Sequence, residues 1–154
     1  MLGWTETLAQ TQPAAPAVQV DTSGWSVRCA SNASALDCKA AQEVRLKNTR
    51  QLLVSIVVNI ARETKQPTML IHLGYGLFLP SGVNIQLGKR LSQRHDIQTC
   101  DAAGCYAGMA ISKEMLTSLQ SEQEMTVTFQ DLQKRPITVR LPLASFSAAF
   151  QKLQ

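Results

Sequence analysis

The chain has few of the residues from which nucleic-acid surfaces and common active sites are built. Aromatic residues make up 5% of its 154 residues and its net charge is +4. Little material is therefore present for stacking on bases or for neutralising phosphates, and we expect no nucleic-acid partner. Histidine occurs twice, as His72 and His95, so a hydrolytic mechanism would have to use one of these two side chains.

Catalytic sequence motifs are missing as well. The sequence contains no G-x-S-x-G elbow, no HExxH helix, no phosphate-binding loop and no dinucleotide fingerprint. Gly74-Tyr75-Gly76 lacks the third glycine and the following helix that hold a phosphate, so we interpret it as a bend between strands. The acidic residues are scattered without a pair that indicates acid–base catalysis. We predict no catalytic residues, no cofactor, no metal site and no enzymatic activity.

Long hydrophobic runs are also missing. The longest apolar-rich run, Leu52 to Ile60, is far shorter than the roughly 20 residues that span a bilayer, so we predict no transmembrane segment. Near the start, Thr7-Leu8-Ala9 is typical of the end of an export signal. We predict a flexible N-terminal segment over residues 1–23, formed by the remnant of such a signal and a linker, and a single domain over residues 24–154.

The rest of the sequence is typical of a folded antiparallel sheet protein. Hydrophobic residues make up 45% and charged residues 17%, and short runs with period-two alternation follow one another from Gly24 onward. We predict strands at 25–29, 38–46, 52–60, 68–73, 83–87, 96–100, 105–111, 125–129 and 137–141. Helices are predicted after the N-cap residues Ser112 and Ser145. The predicted fold is mainly β, an antiparallel sandwich or barrel with one or two short helices, one of them C-terminal.

Four cysteines form two local pairs in the sequence, as is typical of small proteins from oxidising compartments. Three disulfide connectivities are compatible with Cys29, Cys38, Cys100 and Cys105. We favour Cys29–Cys38 and Cys100–Cys105, because each pair would close a short loop between two predicted strands. A structural zinc site is the alternative, although its usual spacing of two intervening residues is absent.

Basic residues gather in two clusters near predicted strand ends. One contains Arg45, Lys47 and Arg50, and the other contains Lys89, Arg90 and Arg94. Each cluster is either an ordinary solvated loop or a surface that contacts an acidic partner or anionic lipid head groups. We name Lys89, Arg90 and Arg94 as the candidate basic patch, with peripheral contact to an anionic membrane as its function.

Four sequence segments, in this order, resemble the invasion-associated locus B proteins of alphaproteobacteria. They are Gly24-Trp25-Ser26-Val27-Arg28-Cys29, Gly76-Leu77-Phe78-Leu79-Pro80-Ser81-Gly82-Val83, Thr99-Cys100-Asp101-Ala102-Ala103-Gly104-Cys105 and Val127-Thr128-Phe129. The similarity covers about residues 24 to 153. It implies an exported, periplasmic or cell-surface protein without an established catalytic activity, linked in some pathogens to entry into host cells.

Two functional hypotheses follow, beside a third in which the protein is a virulence factor that touches the host surface directly. The first is a non-catalytic binding or assembly module with a protein partner in the envelope, and its candidate contact surface is the loop formed by Asp101, Ala102, Ala103 and Gly104. The second is a small-ligand carrier or enzyme with a pocket near His72, Tyr75 or His95. A purely structural interpretation of the Cys100–Cys105 hairpin, in which the bridge pins two strands, stays open.

Overall fold

The computed structural model describes residues 20–154, which form two antiparallel sheets and two helices. The first sheet contains β1 (Val20–Thr22), β2 (Ser26–Asn32), β3 (Ala35–Leu46), β4 (Leu52–Ile60), β5 (Pro67–Leu73), β8 (Thr99–Asp101) and β9 (Gly104–Ala110). The second contains β6 (Val83–Leu87), β7 (Leu91–His95), β10 (Glu124–Gln130) and β11 (Pro136–Pro142). The helices are α1 (Lys113–Ser121) and α2 (Phe146–Gln151), and a 3₁₀ turn spans Leu79–Ser81. The sandwich prediction is confirmed, and the described strands do not close into a barrel.

The order of strands in the first sheet is β1-β3-β4-β5-β9-β8, and β2 pairs with the remaining length of β3. β4 therefore lies in the interior of the sheet, as its β-branched, nearly continuous apolar sequence predicts. Its pairing with β5 is also confirmed, with Val54 opposite Leu73 and Ile60 opposite Pro67. The order in the second sheet is β11-β10-β6-β7.

Alternate residues of both sheets face a shared core. The inward rows of the first sheet include Val54, Ile56 and Val58, all with no exposed surface. Those of the second sheet include Ile85 and Val127, which are equally buried. The period-two alternation read from the sequence thus has its physical cause in one buried and one solvated face of each strand.

The two helices cover the core as predicted. Ser112 caps α1 by accepting a hydrogen bond on Oγ from the Met115 N–H at 3.1 Å. Ser145 occupies the N-cap position of α2, but its Oγ accepts a hydrogen bond from the Trp25 N–H instead of from its own helix. The Trp25 ring packs edge-on against Phe146 at 5.0 Å, so the start of the domain is fixed to its C-terminal helix.

Several predicted boundaries differ from the structure, those of β2 and β3 by up to three residues, and three assignments differ more. The segment predicted as a strand at 96–100 is mostly a connection between the sheets, and the strand before it is β7, which makes His95 a strand residue instead of a turn residue. Val20–Thr22, placed in the N-terminal segment by the sequence, pairs with β3 as β1. Residues 1–19 of that predicted segment lie outside the described residues.

Each predicted disulfide is present and joins two directly opposed strand residues. Cys29 lies opposite Cys38 on β2 and β3, and Cys100 lies opposite Cys105 on β8 and β9, both with Cα atoms 4.0 Å apart. The sulfur atoms of all four cysteines are bonded in these two disulfides, so none of them is free to bind zinc. Because β2 and β8 are edge strands, the disulfides fix the two opposite edges of the first sheet.

Candidate functional site

The hairpin between β8 and β9 presents a tight turn at an edge of the first sheet. Asp101, Ala102 and Ala103 are exposed, whereas Gly104 is buried. The Cys100–Cys105 disulfide closes the base of this turn. The turn is the candidate partner-contact loop predicted from the sequence.

The carboxylate of Asp101 organises the turn from within. Its Oδ1 accepts a hydrogen bond from the Ala103 N–H at 2.8 Å and another from the Tyr106 hydroxyl at 3.2 Å. Burial raises the pKa of Tyr106, and the hydrogen bond and the negative charge of Asp101 raise it further. The phenol therefore stays protonated and continues to donate to Asp101 throughout the neutral pH range.

Two side chains from β5 and its C-terminal extension hold the same turn from the neighbouring strand. The His72 Nε2–H donates to the Ala103 carbonyl oxygen at 2.9 Å, and the His72 ring stacks on Tyr106 with centroids 4.6 Å apart. The Tyr75 hydroxyl donates to the Asp101 carbonyl oxygen at 2.9 Å. We call the turn 101–104 together with His72, Tyr75 and Tyr106 the tethered hairpin.

The end of the turn requires a glycine at position 104, because there is no room for a side chain. The φ of Gly104 is +144°, and a Cβ placed there would lie 2.2 Å from the Leu73 carbonyl oxygen and 2.7 Å from His72 Nε2. Such approaches are far inside van der Waals contact. Glycine at this position therefore lets β9 approach β5 closely enough for His72 to reach the turn.

The two functional hypotheses thus meet at one location. His72 and Tyr75, proposed as pocket residues, both use a polar atom to hold the candidate contact loop. The structure does not bring His95 to this place, because His95 lies in the second sheet opposite Val83. Burial lowers the pKa of His95, and the charge of Asp96 partly opposes this shift.

The candidate basic patch divides into two parts in the structure. Lys89 and Arg90 lie exposed in the turn between β6 and β7. Arg94 lies further along β7, where it forms an ion pair with Asp96 at 2.7 Å and donates to two backbone carbonyl oxygens of the Leu79–Ser81 region. The guanidinium of Arg94 is therefore engaged in fixing local structure although the side chain is half exposed, whereas Lys89 and Arg90 lie in the turn itself.

Tyr106 is a member of the site that the sequence analysis missed. It follows Cys105 directly and is the outward-facing residue opposite both His72 and Thr99. An aromatic residue one position after the second cysteine of a hairpin is a visible signal in the sequence. Its partner on β5 could not be inferred, because the sequence does not show that β5 and β9 are neighbours.

Comparisons with known proteins agree with this architecture. The family model of the invasion associated locus B (IalB) protein matches residues 25–154. The chain belongs to the IalB family. No curated protein matches the sequence.

Among solved structures, the crystal structure of invasion associated protein b from Bartonella henselae is similar to this IalB-family chain. The TM-score is 0.74 at 18% sequence identity, and the match covers 88% of this chain and 94% of that one. At this identity the similarity establishes a shared fold. Within residues 20–154, neither helix has the length and apolar character needed to cross a membrane.

Proposed function

We propose that this IalB-family protein is a non-catalytic binding module of the periplasm or cell surface that recognises a protein partner through the tethered hairpin. The observation that carries the proposal is the fixation of an exposed turn by a disulfide and by hydrogen bonds from His72, Tyr75 and Tyr106. The disulfide also stabilises the fold, but the three side-chain hydrogen bonds hold an exposed turn outside the core, and a recognition loop gains affinity from being held in this way.

The physical advantage is preorganisation. Ordering a flexible loop on binding costs roughly 0.5–1.5 kcal/mol for each side chain that becomes immobilised. In the tethered hairpin, the disulfide and the side-chain hydrogen bonds already order the loop in the free protein, so this ordering cost does not fall on the binding step. The turn therefore presents the Asp101 carboxylate edge and the Ala102 methyl group in one arrangement before a partner arrives.

The location outside the cytoplasm rests on chemistry and on family membership. Disulfides persist in the periplasm and on the cell surface and are rare in the reducing cytoplasm. Two disulfides in an IalB-family chain therefore support an extracytoplasmic protein. We propose in addition that the protein partner lies in the cell envelope. In an invasive organism, we propose that the protein contacts the surface of the host cell.

The alternative of an enzyme or ligand carrier has less support at this site. A general base needs a free lone pair directed at a substrate, and the Nε2 atom of His72 cannot supply it because its N–H donates to the Ala103 carbonyl oxygen, which leaves only Nδ1 for such a role. The Tyr75 hydroxyl is likewise engaged with Asp101. Contact of Lys89 and Arg90 with anionic lipid stays a separate proposal that this site neither requires nor opposes.

Site-specific photo-cross-linking in the cells that produce the protein tests the proposal. A photoreactive residue is placed at Ala102 on the tethered hairpin, at Lys89 on the β6–β7 turn, and at Leu132 on the β10–β11 turn. All three positions are exposed, and Leu132 is 66% exposed. We expect a discrete protein adduct from position 102 and none of that mass from position 132.

A second variant separates recognition from mere proximity. Tyr75→Phe keeps the ring but removes the hydrogen bond to Asp101, and we expect it to weaken partner binding up to about tenfold, from a bond worth roughly 0.5–1.5 kcal/mol. Equal adducts from all three positions, or an adduct from position 89 alone, would contradict the proposed surface. An adduct from position 102 whose yield is unchanged in Tyr75→Phe would contradict the preorganisation argument.

A further inference from the structure

One end of the sandwich is open and has an apolar floor. Leu36 and Cys38 continue the inward-facing row of β3 beyond the buried Ala40, and Leu36 is 62% exposed. Ile60 at the end of β4 and Leu153 after α2 are partly buried at the margin of the same core. These four residues line a groove of about 640 Å³, a volume in the range typical of small-molecule sites. We call it the end groove.

Three cationic side chains form the rim of the end groove. Arg62 and Lys65 lie in the turn between β4 and β5, and Lys152 follows α2. In the part of the chain from residue 20 onward, none of them takes part in an ion pair. Asp37 is the single acidic side chain among the lining residues. The groove thus combines an apolar floor with an excess of cationic side chains at its rim.

The end groove is separate from the tethered hairpin. Cys105 pairs with Leu73, which pairs with Val54 at the start of β4, whereas the groove lies at Ile60 at the end of β4. Six residues of extended strand correspond to roughly 20 Å. The groove residues are also far apart in sequence, and they meet because β3 pairs with β4 and because the chain after α2 returns to the same end.

We propose that the end groove binds a single-chain anionic amphiphile of the fatty acid type. The acyl chain lies along Leu36, Ile60 and Leu153, where it removes exposed apolar surface from water. The anionic head lies at the rim, where Arg62, Lys65 and Lys152 supply the complementary charge. The apolar side chains line a concavity of about 640 Å³, which a single acyl chain can enter and the flat surface of an intact bilayer cannot. This inference is independent of the proposed partner-binding function.

Titration of the folded, oxidised protein with monomeric dodecanoate tests the inference. Binding is followed by amide NMR shifts, and we expect saturable shifts at Ile60 and Leu153 with one ligand bound per chain. Dodecanol, which has the same chain without the charge, is expected to bind at least about tenfold more weakly. Absence of saturable shifts at the groove, or equal affinity for dodecanol, would overturn the proposal.

A pair of double variants gives the matched control. Arg62→Gln with Lys65→Asn removes two rim charges, and Asn tolerates the left-handed backbone at position 65, where φ is 58°. Lys134→Asn with Arg140→Gln removes two exposed charges at positions that do not line the groove, and position 134 has the same left-handed backbone, with φ 61°. We expect the groove variant to lose about tenfold or more in dodecanoate affinity and the control to lose less than twofold, with both melting temperatures unchanged.

Two results would contradict the assignment. Equal weakening in both double variants would show that net charge alone drives the interaction. Binding to vesicles that contain anionic phospholipid, without binding to monomeric dodecanoate, would assign the cations to a membrane surface and overturn the groove. Loss of folding in the groove variant is checked by the melting temperature, and Leu36→Ser then serves as the second variant, expected to weaken dodecanoate binding through the floor alone.

Discussion

Replacing Gly104 by alanine tests how closely the tethered hairpin is set against β5. The added Cβ would lie 2.2 Å from the Leu73 carbonyl oxygen, a backbone atom that cannot move without disturbing the β4–β5 pairing. A non-glycine residue at φ +144° costs about 1–3 kcal/mol, and overpacking of this kind costs about 1–3 kcal/mol more. We therefore expect Gly104→Ala to lower the free energy of unfolding by about 3 kcal/mol or more.

Gly76→Ala supplies the control for that measurement. Gly76 has φ +80°, but a Cβ there would meet nothing within 4 Å, so this variant carries the conformational cost of about 1–3 kcal/mol without the collision. The assay is urea unfolding under non-reducing conditions, followed by tryptophan fluorescence, to which the buried Trp25 contributes. If Gly104→Ala lost no more stability than Gly76→Ala, the close approach of β9 to β5 would be refuted.

Three further predictions concern stability. Replacing Cys100 and Cys105 together by serine should lower the free energy of unfolding by about 2 kcal/mol, the loop-closure value for a five-residue separation, and an unchanged melting temperature would oppose this. Burial lowers the pKa of His95 in the folded state. The contribution of this shift to the free energy of unfolding should therefore be fully present above pH 6.5 and be lost as the pH falls through the folded-state pKa. His95→Gln should flatten that part of the pH profile, and an equally steep profile in the variant would contradict it. Gln42 is buried and donates from Nε2 to the Ser23 and Pro142 carbonyl oxygens, so Gln42→Glu should cost about 3 kcal/mol at pH 7 and recover partly in acid; a wild-type urea midpoint would refute this.

The fold was largely predictable because its inward rows are apolar and its outward rows are polar. The interior strand β4 shows this best, since Leu52–Ile60 is rich in β-branched residues. Edge strands carry a weaker signal. In β7 only Leu91 is buried, and the polar Ser92, Gln93 and Arg94 read as a turn although they pair with β6.

The disulfides and the exposed turn of the candidate site were predictable from local sequence. Cysteines five residues apart around a small turn indicate a bridged hairpin, and the structure contains it. The ties from His72 and Tyr75 were not predictable, because they depend on which strand lies beside β9. Strand order in a sheet is set by long-range packing, and His72 is 31 residues from the Ala103 carbonyl oxygen that it binds.

Clusters of charged residues that lie close in the sequence could be predicted, whereas clusters formed by residues far apart in the sequence could not. The sequence marked Lys89, Arg90 and Arg94 as one cluster, but a strand extends by about 3.3 Å per residue, so Arg94 lies well away from the turn. Conversely, Lys152 joins Arg62 and Lys65 at one groove across a long stretch of sequence. Charge clusters formed by tertiary structure leave no local pattern.

Rigidity of the turn is the central claim, and backbone ¹⁵N relaxation measures it directly. If the ties from His72, Tyr75 and Tyr106 fix the turn, the amides of Ala102, Ala103 and Gly104 should show order parameters near 0.85, the value typical of rigid backbone. In Tyr75→Phe the order parameters at Ala102 and Ala103 should fall while those of β9 stay unchanged. Values below about 0.6 in the wild-type turn would contradict a preorganised recognition loop.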